Sequence, residues 1–284
     1  MILRQALTNA AATLATNPHL RNQAHRDAEL LLLYILGIDR AAFLAHPNRS
    51  LTPEQLAAYR ASIDRRLKNE PIQYITGQQE FFGLNLKVTP ATLIPRPETE
   101  HLVEAILHRL PHDQPLKVLD VGTGTGAIAI ALAVHLPHAE ITAVDVSAEA
   151  LVIAEANGIA HNVASRICFL QSDLLAGLPV NEQAAGFDAI VSNPPYIPET
   201  DRAELHPQVR DHEPAEALFA GPSGLDIYRR LIPQARAALK PNGLLALEIG
   251  HGQGEAVGAL LANWKDLTFI ADLQEIPRVA LARK

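Results

Sequence analysis

The hydrophobic pattern changes period twice along the chain. From Met1 to about Lys68 the apolar residues recur at helical spacing. Leu30, Leu31, Leu33, Tyr34 and Ile35 form one broad stripe, and no period-two alternation interrupts it. Thr52-Pro53-Glu54 supplies an N-cap residue followed by proline at the first helical position. Between Glu70 and Thr89 the texture shifts. Leu84, Leu86 and Val88 alternate with Gly83, Asn85 and Lys87, the period of a half-buried strand, and Gly77 separates two apolar stretches. A hairpin or extended linker is expected there. Pro95-Arg96-Pro97-Glu98-Thr99-Glu100 then opens a helix predicted to run to about Leu110, because proline and acids suit a first turn.

Beyond Leu116, short apolar runs alternate with helical stretches. Strands are expected over 116–121, 140–145, 166–171, 187–192, 244–249 and 267–272, with a last one near 279–282. This alternation predicts an α/β fold: a mostly parallel seven-stranded sheet with helices on both faces, preceded by a small helical domain. The predicted division is a helical domain over 1–69, a β-hairpin linker over 70–90 and a ligand-binding domain over 91–284. Ligands of such sheets bind beyond the carboxyl ends of the strands. The longest irregular stretch, Asn193 to Gly224, is proline-rich, and long loops in compact domains are often functional.

Composition removes several classes of function. With 48% hydrophobic and 19% charged residues in 284, the chain has the make-up of an ordinary soluble protein. A formal net charge of −7 argues against a nucleic acid backbone as the main partner, since phosphate neutralisation needs a basic face. The single cysteine, Cys168, excludes a disulfide framework and a thiolate cluster; inside a strand it is expected to be a buried small hydrophobe. The 12 histidines show no ligand spacing, so no metal site is expected. Met1 to Leu14 lacks the apolar core of a signal peptide, and no apolar run is long enough to span a bilayer. A cytoplasmic monomer without a membrane partner is the expectation.

Two loops carry candidate chemistry. Asp120-Val121-Gly122-Thr123-Gly124-Thr125-Gly126 follows an apolar strand and leads into a helix. Its glycines let the backbone turn sharply and approach a ligand, while the helix start offers free N–H groups. Gly122, Gly124 and Ala127 also satisfy the dinucleotide fingerprint, with Asp145 at the end of the next strand. Taken alone, the motif fits NAD or S-adenosylmethionine equally. Asp120, directly before the turn, suits the ammonium of a methionine moiety better than a pyrophosphate. Asp173, ending the third strand, is placed to receive an adenine amino group. Both favour S-adenosylmethionine.

The second loop, Asn193-Pro194-Pro195-Tyr196, begins at the carboxyl end of the strand Phe187 to Ser192. Two prolines stiffen it. Asn193 offers an amide oxygen and Pro194 a carbonyl, which together can accept both N–H bonds of a planar –NH2 group while the Tyr196 ring stacks on its flat face. A carboxamide or aromatic amine nitrogen is a poor nucleophile because its lone pair is delocalised. As it attacks a sulfonium methyl, positive charge grows on nitrogen and both accepted bonds strengthen, so the loop favours the transition state.

With these residues in hand, the sequence resembles the class I, Rossmann-like methyltransferases that modify the glutamine side chain of peptide chain release factors (the HemK/PrmC family). The resemblance rests on Arg26-Asp27-Ala28-Glu29-Leu30-Leu31, Pro71-Ile72-Gln73-Tyr74-Ile75-Thr76-Gly77, Glu80-Phe81-Phe82-Gly83, Ile94 to Glu100, Asp120 to Gly126, Asn193 to Tyr196 and Glu248-Ile249-Gly250. It implies transfer of a methyl group from S-adenosylmethionine, leaving S-adenosylhomocysteine, to the glutamine N5 of the Gly-Gly-Gln loop in class-1 release factors. It implies that the helical domain helps recognise that substrate. It also implies that Gly122, Thr123, Gly124, Thr125 and Gly126 line the cofactor, Asp145 takes the ribose, Asp173 and Leu174 the adenine region, and Asn193, Pro194, Pro195 and Tyr196 the glutamine. Leu93 falls where some relatives carry an aromatic residue and is expected in the pocket wall. The final hairpin departs from the family: Asp272-Leu273-Gln274-Glu275-Ile276-Pro277-Arg278 lacks the usual glycine.

Two other readings compete. An N6-adenine nucleic acid methyltransferase uses the same kind of loop on a similar amine, but needs a basic groove and a base-flipping apparatus that an acidic chain without an inserted domain does not suggest. An NAD-dependent oxidoreductase leaves Asn193 to Tyr196 without a role.

Overall fold

A computed structural model describes residues 1–180 and 186–284. The chain divides into two compact units, Met1–Gln78 with Glu204–His212, and Gln79–Ala203 with Glu213–Lys284. The centre of the long proline-rich loop therefore belongs to the helical unit. There His206 Nε2 lies 3.4 Å from the His19 carbonyl and His212 Nε2 lies 3.1 Å from that of Lys68.

The helical unit comprises α1 (Leu3–Leu14), α2 (Ala24–Leu36), α3 (Arg40–Ala45), α4 (Pro53–Leu67) and α5 (Ile72–Thr76). Thr52 caps α4 reciprocally: its hydroxyl accepts from Gln55 N while the Gln55 side chain accepts from Thr52 N. The buried face of α2 is Ala24, Asp27, Ala28, Leu31 and Leu32, whereas Leu30 and Tyr34 are 42% and 45% exposed. The inward stripe thus differs from the one the leucine run suggests, because two of its members are alanines and one is an acid. Asp27 belongs inside because Arg66 Nε donates to its Oδ2 at 2.8 Å, with both side chains only 3% exposed. Arg66 also reaches the Glu70 carbonyl at 2.9 Å. Asp27→Ala would leave that guanidinium buried without its counter-charge, and should lower stability by about 3–5 kcal/mol in denaturant unfolding. A loss under about 1 kcal/mol, the range of an exposed pair, would contradict this.

Gly77, with φ +74°, ends α5 rather than forming a hairpin turn. The hairpin is confined to β1 (Gln78–Phe81) and β2 (Leu84–Lys87), and its two turn residues, Phe82 and Gly83, both take positive φ. Phe82 tolerates this because its N–H donates to Glu100 Oε1 at 2.9 Å.

The larger unit continues with α6 (Glu100–Leu107), β3 (Leu116–Val121), α7 (Ala127–His135), β4 (Ala139–Asp145), α8 (Ala148–Ala160), β5 (Ile167–Gln171), β6 (Phe187–Ser192), α9 (Asp226–Ala238), β7 (Leu239–Glu248), α10 (Gly254–Leu260), β8 (Lys265–Ala271) and β9 (Pro277–Arg283). The sheet order is β5-β4-β3-β6-β7-β9-β8, with β9 antiparallel to both its neighbours and the other pairings parallel. Both faces are covered, so the central strands read as continuous apolar runs. Val118, Ile141, Ala189 and Ala246 face the cluster that includes α6 and α7, while Leu119, Val144, Ile190 and Leu245 face Tyr228 and Leu231 of α9. α7 is apolar all round and buried through Ala133, as its sequence AIAIALAVH requires.

Two details depart from the sequence reading. Cys168 is exposed: β5 is the outermost strand, and there only the face carrying Ile167 is buried. The last hairpin, which lacks the glycine, places Glu275 at φ +62° inside a turn held by Asp272. Asp272 Oδ1 accepts from Gln274 N and Ile276 N, and its Oδ2 from Arg278 Nε at 2.8 Å. Among the described residues no helix is long and apolar enough to cross a membrane.

Candidate active site

The strand order reverses direction between β3 and β6, and the crevice at their carboxyl ends is where such sheets bind ligands. A cleft of about 150 Å³ opens there. Its walls include Leu93, Gly122, Gly124, Asp145, Asp173 and Leu174 together with Asn193, Pro194 and Pro195, so the two candidate loops meet in one space.

The glycine loop is braced from below. Asp120 is fully buried, and its Oδ2 accepts from the Thr123 hydroxyl at 2.6 Å and from Ala129 N at 3.2 Å. Burial pushes the Asp120 carboxyl up to about 7, against those two hydrogen bonds. Its Oδ1 is buried with no protein partner among the described residues. Thr123 and Thr125 are buried, and Gly126 faces Ile130 and Ala154 of the helices behind. Asp120, Thr123, Thr125 and Gly126 are therefore not in the cleft wall. They shape the loop whose Gly122 and Gly124 are. A Cβ built on either glycine meets nothing within 4 Å, so both present open backbone at φ +74° and +55°.

Asp145, ending β4, ties the loop to the next helix. Its Oδ2 accepts from Gly124 N at 2.8 Å and its Oδ1 from Ser147 N at 2.9 Å. Lone pairs remain on both oxygens for a ligand diol. Asp173 reaches the cleft, but Arg230 donates to its Oδ2 at 2.6 Å. Leu174 holds φ +51° where a leucine is strained, and the Ser172 hydroxyl donates to its carbonyl.

The loop after β6 is anchored at both ends. Asn193 Nδ2 donates to the Thr99 hydroxyl at 3.0 Å, which leaves Oδ1 as the amide's acceptor toward the cleft. Gln253 Nε2 donates to the Tyr196 carbonyl at 2.9 Å, and Gln253 Oε1 accepts from Gly250 N at 3.0 Å. Tyr196, expected to stack on a substrate, is not in the cleft wall: its ring lies beside Gly250, where a built Cβ would come within 2.9 Å of Cδ2. Burial first, and the charge of Glu248 second, push its hydroxyl up to about 12. Gly250→Ala should displace this ring and slow turnover about 10-fold or more in a steady-state assay, since small misplacements near a reacting centre are costly. Unchanged turnover would show that the ring's position is immaterial.

Sequence reasoning gave no role to three side chains that stand behind the cleft wall. Arg96 Nη2 lies 2.5 Å from Glu213 Oε1, and Glu213 Oε2 accepts from Ile94 N at 3.2 Å. That pairing fixes the chain on either side of Leu93 to the segment supplying Pro214, Glu216 and Ala217. Glu248, the last residue of β7, is 2% exposed, and its Oε2 has no hydrogen-bond partner among the described residues. Burial, with a smaller push from Glu98, raises its carboxyl to about 7, while Thr99, Arg278 and Arg96 act the other way. Arg96 and Glu248 lay in quoted motifs and Glu213 in none, and nothing in those motifs announces where these side chains end up.

The PrmC N-terminal domain family matches residues 5–77 and the methyltransferase small domain family residues 99–208. The T. Thermophilus 16S rRNA N2 G1207 methyltransferase, solved with AdoMet and guanosine, superposes with a TM-score of 0.54 at 22% identity, over 73% of this chain and 49% of that one, which speaks to fold alone. The release factor glutamine methyltransferase of Escherichia coli (strain K12) is 43% identical over 99% of this chain and 97% of its own. That of Koribacter versatilis (strain Ellin345) is 45% identical over 100% of this chain and 99% of its own. On these matches and this site, the chain belongs to the release factor glutamine methyltransferase family, on a class I, Rossmann-like fold.

Proposed function

We propose that the protein methylates the side-chain amide nitrogen, N5, of the glutamine in the Gly-Gly-Gln loop of class-1 release factors, in the cytoplasm, using S-adenosylmethionine. The observation that carries this is the Asn193 amide, held at the end of β6 with its oxygen left toward a cleft that the glycine loop also lines.

The residues present fit that methyl donor. Gly122 and Gly124 offer open backbone, Asp145 has oxygen lone pairs for the ribose hydroxyls, Leu174 gives an apolar wall for adenine, and Asp173 supplies an acceptor at its edge. The buried, unpartnered Oδ1 of Asp120 points to a further donor beside the loop, such as an ammonium-bound water. When bound, S-adenosylmethionine supplies an electrophilic methyl group on a sulfonium.

The protein's part is orientation and electrostatics. Asn193 Oδ1 and the Pro194 carbonyl accept the two N–H bonds of the glutamine amide, and Pro195 keeps the turn rigid. Both acceptors strengthen as positive charge develops on the nitrogen, and neither has to reorganise. Leu93 closes the wall against water. Tyr196 secures the outer end of the loop through its carbonyl. The helical unit serves recognition of the release factor, which needs a larger surface than the cleft.

The test is methyl transfer to a purified release factor and to its Gln→Ala form in the Gly-Gly-Gln loop. Label on the first alone is expected. Equal label on both would overturn the glutamine assignment.

A further inference from the structure

The outer wall of the cleft is a strap tied down at both ends. Pro214, Glu216 and Ala217 line the cleft, and the chain beyond them is joined to the segment that follows Tyr196. There Ile197 N donates to the Leu218 carbonyl and Ala220 N to the Ile197 carbonyl, both at 2.9 Å, and Glu199 N donates to the Gly221 carbonyl at 3.0 Å. The near end is held by a side chain. Glu213 Oε1 lies 2.5 Å from Arg96 Nη2, and Glu213 Oε2 accepts from Ile94 N at 3.2 Å. Ala91, Thr92 and Leu93, which line the cleft just before Ile94, are thereby closed against the strap. The Glu213 side chain is 0% exposed, with the Arg96 guanidinium as its counter-charge. A carboxylate that has left water stays inside only while it is neutralised and hydrogen-bonded. Without Arg96 the charge returns to solvent, and the strap residues next to it go with it.

We infer that Arg96 and Glu213 are positioning residues of the methyl-transfer site: their ion pair latches the strap against the segment Ala91 to Leu93 and so holds the outer wall around the methyl donor and the acceptor side chain. This rests on the proposed glutamine methylation. The latch acts on binding and not on the reacting groups. Asn193 is held by Thr99 and by its place at the end of β6, and the Tyr196 carbonyl by Gln253, through bonds that do not pass through the pair. The bonds at the far end keep Leu218 to Gly221 in place, so opening is confined to residues 213–217. A cleft missing one wall leaves part of each ligand's apolar surface wet, which weakens binding. A complex that does form presents the same acceptors to the nitrogen.

The experiment uses the full chain with a release factor as methyl acceptor and three variants: Arg96→Met, Arg96→Lys and Glu213→Gln. Besides steady-state kinetics, the readouts are S-adenosylmethionine affinity by calorimetry and amide hydrogen exchange. The strap reports well on exchange, because the N–H groups of Ala217, Leu218 and Phe219 are bonded to the carbonyls of Pro214 and Ala215. Arg96→Met leaves the Glu213 charge unpaired. If the closed strap falls to about a tenth of the population, cofactor Kd and release-factor KM should each rise about tenfold. Strap exchange should quicken about tenfold or more, with β3 and β6 unchanged. At saturation kcat should stay within about threefold, because the groups that touch the nitrogen are anchored elsewhere. Arg96→Lys keeps the charge and should restore Kd and KM to within about threefold of the parent. Parental Kd, parental KM or parental strap exchange in Arg96→Met would each overturn the inference. A kcat loss of about 100-fold at parental KM would do the same, since it would put Arg96 among the reacting groups. If Arg96→Met fails to fold, Glu213→Gln decides by the same readouts. It keeps an acceptor for Ile94 N but not the charge, and should raise Kd and KM about fivefold with faster strap exchange. Failure of the parent enzyme to label any release factor counts against the functional reading instead, and cofactor Kd and strap exchange still judge the latch.

Discussion

Asn193→Ala is expected to reduce kcat for glutamine methylation by about 1,000-fold, the upper end of what one preorganised polar group contributes at a reacting centre. The S-adenosylmethionine Kd should stay within about threefold. The asymmetry follows from where Asn193 stands. Its backbone continues β6 and its Nδ2 is tied to Thr99, so the amide is anchored on the protein side and offers only Oδ1 to a ligand. Alanine removes that acceptor and leaves the strand, the proline turn and the glycine loop in place. The loss should fall on kcat rather than KM, because the bond to Oδ1 matters most when the acceptor nitrogen is positive. A variant that loses cofactor binding and turnover in equal measure would mean that Asn193 shapes the cofactor site and does not read the acceptor.

Asp145→Ala should act in the opposite way, raising the S-adenosylmethionine Kd about 100-fold, or about 2.7 kcal/mol. Asp145 does two things at once. It would accept from the ribose hydroxyls, and it holds Gly124 N and Ser147 N so that the glycine loop keeps its open shape. Charge-assisted hydrogen bonds of this kind contribute about 1.5–3 kcal/mol each, and truncation leaves two N–H groups to find other acceptors. Calorimetry measures the effect directly. Turnover at saturating cofactor should largely return, since no group touching the acceptor is altered. Unchanged affinity would remove Asp145 from the cofactor site.

How much of this was readable in advance varies with the kind of signal. The sheet was legible because its central strands are covered on both faces and show as uninterrupted apolar runs. Leu116–Val121 and Phe187–Ser192 are observed where the pattern puts them. The glycine loop and Asn193 to Tyr196 were legible as chemistry because each stands at a strand end in an order few other folds require. Helix α5 was not, since five residues carry too little periodicity and Gly77 ends a helix as readily as it turns a hairpin. The inward face of α2 was obscured by Asp27, which is buried only because Arg66, far along the chain, comes to meet it. Cys168 was misread because period alone does not say that β5 is an edge strand.

The site shows the same divide. Gly122, Gly124, Asp145, Asn193, Pro194 and Pro195 could be named from their local motifs, and they do share one cleft. Asp120 and Thr123 were named for contact with a ligand, yet their hydrogen bond to each other places them under the loop as its support. Thr99 and Glu248 stood inside quoted motifs without a role, and Glu213 was not named. Thr99 and Glu213 are unremarkable residues until the fold brings each to its partner, across 94 positions for Thr99 with Asn193 and 117 for Arg96 with Glu213. Contacts of that range leave no mark on local sequence.

The most direct test of the central claim offers the purified protein labelled S-adenosylmethionine together with, in parallel, a class-1 release factor, the same factor with Gln→Ala in its Gly-Gly-Gln loop, and adenine-containing DNA. Label on the intact factor alone is the predicted result. Label on DNA with none on the factor would contradict it and make the planar –NH2 group that Asn193 reads an adenine.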